Sequence, residues 1–397
     1  MAEQAPTLQG LADEMIAAAV RRIHVLAWRD LDDPDAGGSE AHADEFMRRW
    51  AAAGFEVTHR TSAAIGQPSV SSRHGYQVIR RGSRYSVFPR AVASELIGRM
   101  GRYDALVEVW NGVPWMSPLW CRKPRIAFLH HVHGPMWDQL LPRPLAGLGR
   151  ALEAKIAPPF YRRTLTLSPS ESTRLELLAL GFRPERVVAV NNGVDTQFQP
   201  GGQRSTSPLV VSVGRFAPVK RQDELIEAAV VARRRVADLQ LVIVGDGPMR
   251  ATLEARIAAH GAQDWITLCG RLTHPELVAV YQRAWLISSA SLAEGWGLTL
   301  TEAAACGTPA VVTDINGHRS SVVDGVTGLL APLDRLGNTI ADVLLDNDRR
   351  AQLGHAALAR ARTLTWDESA RRILAALHRQ VMVWVPRRVP SRRGSPH

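Results

Sequence analysis

Glu294 and Glu302 bracket the run Gly-Trp-Gly-Leu-Thr-Leu-Thr, and Gly307-Thr308-Pro309 follows shortly after. An apolar run ends near Ser288, so the stretch reads as a strand, a glycine-broken loop and a short helix that Gly307 terminates. Gly295 and Gly297 let backbone amides come close to a ligand. The helix start adds unpaired N–H groups and the positive end of a dipole, which together suit a phosphate. Glu302 is expected in the first helical turn and Glu294 on the loop before it, so the carboxylates would hold hydroxyls on two sides of a diphosphate. Taken singly, each has a plainer reading, as a helix-dipole partner or a solvated loop residue.

Upstream, Val213-Gly214-Arg215 closes another apolar run, and Lys220 follows at the start of a helical pattern. Cations at the carboxyl end of a parallel strand sit where open α/β sheets bind phosphates. Arginine forks onto two oxygens, while lysine brings a mobile point charge. Lysine occurs only at 123, 155 and 220 among 48 cations, which makes Lys220 conspicuous in an arginine-biased chain. The turn Gly245-Asp246-Gly247-Pro248 carries little by itself. In the first half, Gly37-Gly38-Ser39-Glu40 opens a helical pattern through Trp50. Its amides could meet a phosphate, or Ser39 could simply cap the helix. The run Arg125–Leu129 leads into His130-His131-Val132-His133, placing histidines at a strand's carboxyl end.

The elements that must position these groups recur as apolar runs followed by helical patterns, the mark of βα units and parallel sheets. Strands are expected at Ile23–Trp28, Phe55–Arg60, Ala105–Val109, Arg125–Leu129, Arg163–Leu167 and Val187–Val190. The pattern restarts at Leu209–Val213, then Leu241–Val244, Ile266–Leu268, Trp285–Ser288 and Ala310–Thr313. Between the halves, Asn191 to Ser207 is polar and turn-rich, so the domain boundary belongs there. Trp366–Gln380 is helical in pattern, and Arg387–His397 is a basic tail expected to be disordered. A hydrophobic fraction of 46% and a charged fraction of 22% fit a soluble two-domain globule. No apolar run is long enough to span a bilayer, no secretory signal is visible, and three scattered cysteines fit a reducing cytosol.

The series Gly214-Arg215…Lys220, Gly245-Asp246-Gly247-Pro248, Gly270 and Glu294…Glu302…Gly307-Thr308-Pro309 resembles the donor domain of family 4 glycosyltransferases, including their E-x7-E motif. Asn192-Gly193-Val194-Asp195 with Phe198 and Pro200 resembles that family's interdomain signature. The likeness covers the second domain well and the first thinly. It implies the GT-B fold, an α/β architecture of two Rossmann-like domains facing across a cleft. On that basis residues 1–195 form the acceptor-side domain and 196–365 the nucleotide-sugar-binding domain, with 366–386 a helix crossing back.

The likeness further implies a retaining, metal-independent hexosyltransferase-type enzyme using a UDP- or GDP-sugar as co-substrate. Arg215 and Lys220 would bind the diphosphate, and Glu294 the donor-sugar hydroxyls. Gly297, Leu298 and Thr299 would lie near phosphate and sugar, Glu302 would take the ribose, and Arg271 and Leu272 would meet the base. Gly37 and Gly38 would touch the distal phosphate, and His130 would lie near the anomeric carbon, with His133 the competing choice. Ser39, Glu40, Trp110 and Asn111 are further acceptor-side candidates. Two departures stand out: Trp296 replaces the usual phenylalanine, and Trp285 stands where an aspartate is common.

Other chemistries fit less well. Asp30-Leu31-Asp32 could be a metal-binding pair of the other glycosyltransferase fold, but a second α/β domain with its cationic pair would already neutralise the phosphates. His131 with His133 could ligate zinc, but no Cys or carboxylate partner sits at a recognised spacing. A PLP-dependent phosphorylase needs a Schiff-base lysine, and neither first βα turn has the dinucleotide glycine pattern of an oxidoreductase. A non-catalytic nucleotide- or sugar-binding module is the alternative from another class. Nothing marks a nucleic-acid partner. From Arg73 to Arg102 there are seven arginines and a single acid, Glu95, with Trp110, Trp115 and Trp120 following. This reads first as a solvated basic face over core tryptophans, with peripheral contact to the membrane's inner face as the other reading. The expected location is cytoplasmic, and the expected acceptor is a sugar, a lipid-linked molecule or a small polar metabolite.

Overall fold

The computed structural model describes residues 5–385 and divides into two compact units. Unit 1 runs to Trp137 and resumes over Pro142–Asn191 and from Trp366 onward; unit 2 holds Asp138–Leu141 and Asn192–Thr365. The expected tail, 387–397, lies outside the described residues.

Unit 1 is built on an eight-stranded sheet of β1 (Arg22–Leu26), β2 (Glu56–Thr61), β3 (Val70–Arg73), β4 (Tyr76–Arg80), β5 (Ala105–Trp110), β6 (Arg125–Leu129), β7 (Leu165–Ser168) and β8 (Val187–Ala189). Their order is β3-β4-β2-β1-β5-β6-β7-β8. All pairs are parallel except β3 with β4. The β3–β4 hairpin is absent from the sequence reading, which took Arg73 and Arg80 for part of a basic surface. The order of strand addition reverses between the parallel neighbours β1 and β5, so the carboxyl ends of those two strands flank a switch point.

Alternate residues of the central strands face two helical layers. Val25, Val107 and Phe128 join the core under the Leu8–Ala17, Gly38–Ala52 and Trp366–Trp384 helices. Leu26, Leu106, Trp110 and Leu129 face the other way, toward the Val87–Leu96 helix and the helical stretch that ends at Tyr161. The Trp366–Trp384 helix gives Ala370, Ile373, Leu374 and Leu377 to the first of these cores.

Unit 2 carries six parallel strands: β9 (Leu209–Val213), β10 (Gln240–Val244), β11 (Ile266–Gly270), β12 (Leu286–Ser289), β13 (Ala310–Thr313) and β14 (Gly328–Ala331). The order β11-β10-β9-β12-β13-β14 is that of a doubly wound dinucleotide-type sheet, whose switch point lies between β9 and β12. Short, glycine-initiated β14 was not expected. The first three connections are tied together. The Gly214 amide donates to Val244 O (3.0 Å), the Phe216 amide to Asp246 O (2.9 Å) and the Gly245 amide to Gly270 O (2.8 Å). A Cβ on Gly245 would collide with the Gly214 carbonyl, and one on Gly247 with that of Phe216. These glycines therefore bring the loops into backbone contact, a packing role the sequence did not assign.

Candidate functional site

The carboxyl end of β9 leads through Arg215 to a single 3₁₀ turn, Pro218–Lys220, and then to the Gln222–Arg233 helix. The carboxyl end of β12 leads through Ser291 and Glu294 to Gly297, whose φ of 91° caps the Leu298–Ala305 helix. Gly297 thus adopts the left-handed conformation that glycine takes without a Cβ penalty. Because β9 and β12 are neighbours at the switch point, Lys220 and Glu294 meet. The Lys220 ammonium donates to Glu294 Oε1 at 2.5 Å, and Ser291 Oγ donates to the same oxygen at 2.8 Å. Burial pushes the Glu294 carboxyl up, but Lys220, His318 and Ser291 outweigh it and hold the group below its usual range.

His318 is a site residue the sequence reading missed. It lies on the Asn316–Ser321 helix after β13, is 1% exposed, and pairs through Nδ1 with the Thr313 carbonyl at 2.7 Å. Burial lowers its pKa, while Glu294 and the Thr313 carbonyl pull the other way, and the ring lies within electrostatic reach of the Lys220–Glu294 pair. A Cβ on the adjacent Gly317 would collide with the Glu294 backbone, which explains the glycine there. An Asn-Gly-His run directly after a strand was the signal available in the sequence.

Glu302 is the fifth residue of the Leu298–Ala305 helix and belongs to its second turn, which corrects the first-turn expectation. Burial raises its pKa to about 7, against a hydrogen bond from the Tyr281 hydroxyl to Oε2 at 3.0 Å and reinforced by Asp195. Leu298 and Thr299 open the helix, half-buried, and Arg271 with Leu272 follow β11 directly. Trp296 is buried in the unit 2 core with its Nε1 unpartnered. Trp285 donates to Ser205 O at 2.8 Å and stacks under Arg350, beside a cavity of about 510 Å³ at the opposite end of the Leu298–Ala305 helix from Gly297.

In unit 1, the Gly38–Ala52 helix starts at the carboxyl end of β1. Its cap is the Gly37 amide donating to Glu40 Oε2 at 2.7 Å, and Glu40 also faces Arg29 Nε at 3.4 Å. Ser39 lies inside the helix rather than at its cap, and its Oγ accepts from Asn111 Nδ2 at 3.2 Å. Asn111 follows β5, so this contact spans the unit 1 switch point. Trp110 is 1% exposed, with its ring packed on Tyr161 and Phe182 and its Nε1 donating to Gly112 O, a core role.

His130 directly follows β6, 6% exposed, with its ring against Phe128 and edge-on to His42 at 5.0 Å. Its Nε2 is buried without a partner. Burial first, then His42 and His131, hold its pKa well below the ordinary value. His42, unassigned from the sequence, is wholly buried with both ring nitrogens unpartnered. His133 is tethered instead: its backbone amide donates to Glu153 Oε1 (2.8 Å) and that of Gly134 to Oε2 (2.9 Å), with the ring stacked on His131. Glu153 was missed because it lies twenty residues away on another helix.

The acidic loop after β1 is occupied by arginine. Arg80 reaches Asp30 at 2.5 Å and Asp32 at 2.6 Å, Arg73 pairs with both, and Arg84 meets Asp35 at 2.9 Å. The Asp30–Asp32 pair is thus spent on guanidinium. Among the described residues, no cluster of three or more His, Cys, Asp or Glu could hold a metal ion. The same pairs draw Arg73 and Arg80 out of the supposed basic face. No helix among the described residues is long and apolar enough to cross a membrane.

Comparison with known proteins covers both units. Residues 36–198 match the family described as Glycosyltransferase Family 4, and residues 194–360 that described as Glycosyl transferases group 1. A D-inositol 3-phosphate glycosyltransferase of Kribbella flavida is 30% identical over 87% of this chain and 92% of its own length. A GDP-mannose-dependent alpha-(1-6)-phosphatidylinositol monomannoside mannosyltransferase of Mycolicibacterium smegmatis is 29% identical over 72% and 79%. In fold, sucrose-phosphate synthase from Thermosynechococcus elongatus matches with a TM-score of 0.75 at 20% identity, over 92% of this chain and 100% of that one.

Proposed function

We propose a reaction for this chain from the premise that it belongs to glycosyltransferase family 4 and has the GT-B fold: it moves a sugar from a UDP- or GDP-sugar to a hydroxyl-bearing acceptor, with retention at the anomeric carbon and without a metal. One observation carries this reading: Lys220, Ser291 and Glu294 converge at the switch point of the unit 2 sheet, beside a glycine-capped helix start. Lys220 and Arg215 take the diphosphate, Glu294 the sugar hydroxyls and Glu302 the ribose. The amides of Gly297, Leu298 and Thr299 face the phosphates, while Arg271 and Leu272 border the base. In unit 1, Gly37 and Gly38 serve the distal phosphate and His130 the reacting face of the sugar. Ser39, Asn111 and His133 border the acceptor.

The bond from the anomeric carbon to the diphosphate oxygen breaks, and a bond to the acceptor oxygen forms on the same face. The acceptor proton passes to the departing diphosphate. Negative charge grows on that leaving group, so cations and amides already aimed at it lower the barrier. The sugar is oxocarbenium-like at that point, and a neutral His130 adds no opposing charge. Cationic side chains stand where a metal would otherwise neutralise phosphate, and Asp30 and Asp32 are committed to Arg80, which supports a metal-independent reaction. The acceptor belongs to the polyol class: a sugar, a lipid-linked molecule or a small polar metabolite. The relatives named for inositol phosphate and phosphatidylinositol mannoside fall within that range.

A thermal-shift panel of UDP, GDP, ADP and TDP at millimolar concentration tests the donor site, and at least one should raise the unfolding temperature. No shift from any of them would remove the reading. The anomeric configuration of the product, read by NMR with the matching donor sugar, tests retention. Nucleotide binding without turnover on a broad acceptor panel would leave a binding module.

A further inference from the structure

The two helical layers of unit 1 show different surfaces to solvent. In the layer that includes Val87–Leu96 and the stretch Arg143–Tyr161, the outward side is apolar where a surface helix is ordinarily polar. Leu145 is 52% exposed, Leu148 59%, Ile156 44% and Phe160 44%. The inward side of the same stretch is filled by Ala146, Gly149, Glu153, Ala157 and Tyr161. A π turn at Leu152–Ile156 keeps the two halves of the outward row in line. Leu148 and Ile156 are eight residues apart, which makes two turns only when one of them is wide.

The charges around this row carry one sign. Arg143, Lys155, Arg162 and Arg163 are exposed, while the stretch's one acid, Glu153, is turned inward onto the His133–Gly134 amides. Residues 81–163 hold thirteen cations and five acids. Glu95, Glu108 and Glu153 are buried and Asp104 is bound to Arg22, so Asp138 is the exposed exception. Tyr85, Leu96 and Ile97, at the two ends of the Val87–Leu96 helix, extend the apolar exposure at 62%, 63% and 63%.

We propose that this layer docks the protein on an anionic lipid surface, with the Arg143–Tyr161 stretch lying in the interface. Large apolar side chains enter the boundary between headgroups and acyl chains, and the cations around them meet lipid phosphates. The single-sign rim selects a lipid surface over a protein partner, whose face would have to be continuously acidic as well as apolar. The assignment shifts the membrane reading away from Arg73 and Arg80, which are spent on Asp30 and Asp32, and does not depend on the proposed reaction.

The whole chain is sedimented with vesicles of phosphatidylcholine, with and without phosphatidylglycerol. It should pellet with the anionic vesicles alone, and less as salt rises. Leu148→Asp with Phe160→Asp should lower partition at least roughly tenfold, and Arg162→Gln with Arg163→Gln several-fold. Leu345→Asp, at a 57% exposed leucine of unit 2, should leave it unchanged. The unfolding temperature of each variant verifies that the fold is kept. Absent or lipid-indifferent sedimentation, or equal losses in all three variants, overturns the proposal. So does a dimer that Leu148→Asp and Phe160→Asp dissociate while the parent protein ignores vesicles.

Discussion

At the carboxyl end of the unit 2 sheet, Lys220, Ser291 and Glu294 hold one another by charge, with a buried histidine behind them. At the corresponding end of unit 1, His42 and His130 lie ring against ring among Phe46, Phe128 and Trp366, and neither has a hydrogen-bond partner on Nε2. The first arrangement suits an anionic ligand. Lys220 is partly buried and held by a carboxylate that also accepts from a serine hydroxyl, so its charge is already positioned when an anionic ligand arrives. The second suits an uncharged ligand face, because burial keeps both rings neutral and leaves an apolar wall. Two sheets of similar winding thus carry a charged pair after β9 and β12 and an uncharged histidine pair beside the end of β6.

The contrast can be broken most directly at Lys220. Lys220→Ala should lower kcat/KM by about a thousandfold, some 4 kcal/mol, because stabilisation of the leaving group is lost. A loss under tenfold would mean the charged end is not where the diphosphate departs. Next in size is the buried pair of unit 1. Arg80→Met leaves Asp30 buried beside Arg73 alone and should cost about 3 kcal/mol in thermal or denaturant unfolding. Arg235→Met, at the exposed pair with Asp342 in unit 2, should cost about 0.5 kcal/mol or less.

His130→Ala should reduce kcat by roughly a hundredfold. Since burial holds the ring neutral, the parent enzyme's kcat/KM should show no histidine limb between about pH 6 and pH 8. A limb that the substitution removes would show that His130 works charged, and the contrast with unit 2 would fail. A smaller effect on ligand handling concerns Glu302, pushed up to about 7. Ribose hydroxyls donate to its ionised form, so nucleoside diphosphate affinity should rise about tenfold from pH 6 to pH 8, by calorimetry. Glu302→Gln should flatten that rise. Without ligand the sign is opposite: the folded state holds a proton that the unfolded state has released, so this group's stabilising contribution falls as pH rises from about 4.5 to 7.

The parallel strands were legible because fully buried strands are continuous apolar runs, and Arg125–Leu129, Leu209–Val213 and Ala310–Thr313 have the expected bounds. The β3–β4 hairpin was not, because its arginines read as surface. Arg80 is buried and Arg73 half-buried because Asp30 and Asp32, more than forty residues earlier in sequence, reach the same sheet edge. Two features read separately, an acidic loop and a basic run, are one ion-pair cluster. The Lys220–Glu294 contact follows from strand order, which no local pattern reveals. Glu153 and His318 escaped for the same reason: each acts on a loop carried by another element.

The Trp366–Trp384 helix completes the unit 1 core although unit 2 intervenes in the chain, with Ala370, Ile373, Leu374 and Leu377 placed under the first two helices. During synthesis, then, unit 1 leaves the ribosome before it can close. Unit 2, nearly continuous from Asn192 to Thr365, has its whole core available sooner. All the segments of the unit 2 core are therefore synthesised before the last segment of the unit 1 core, against the usual amino-terminal-first order. Until Ala370, Ile373, Leu374 and Leu377 are made, the apolar side chains they cover in unit 1 have no partner from that helix, and a holding chaperone would have most to do there.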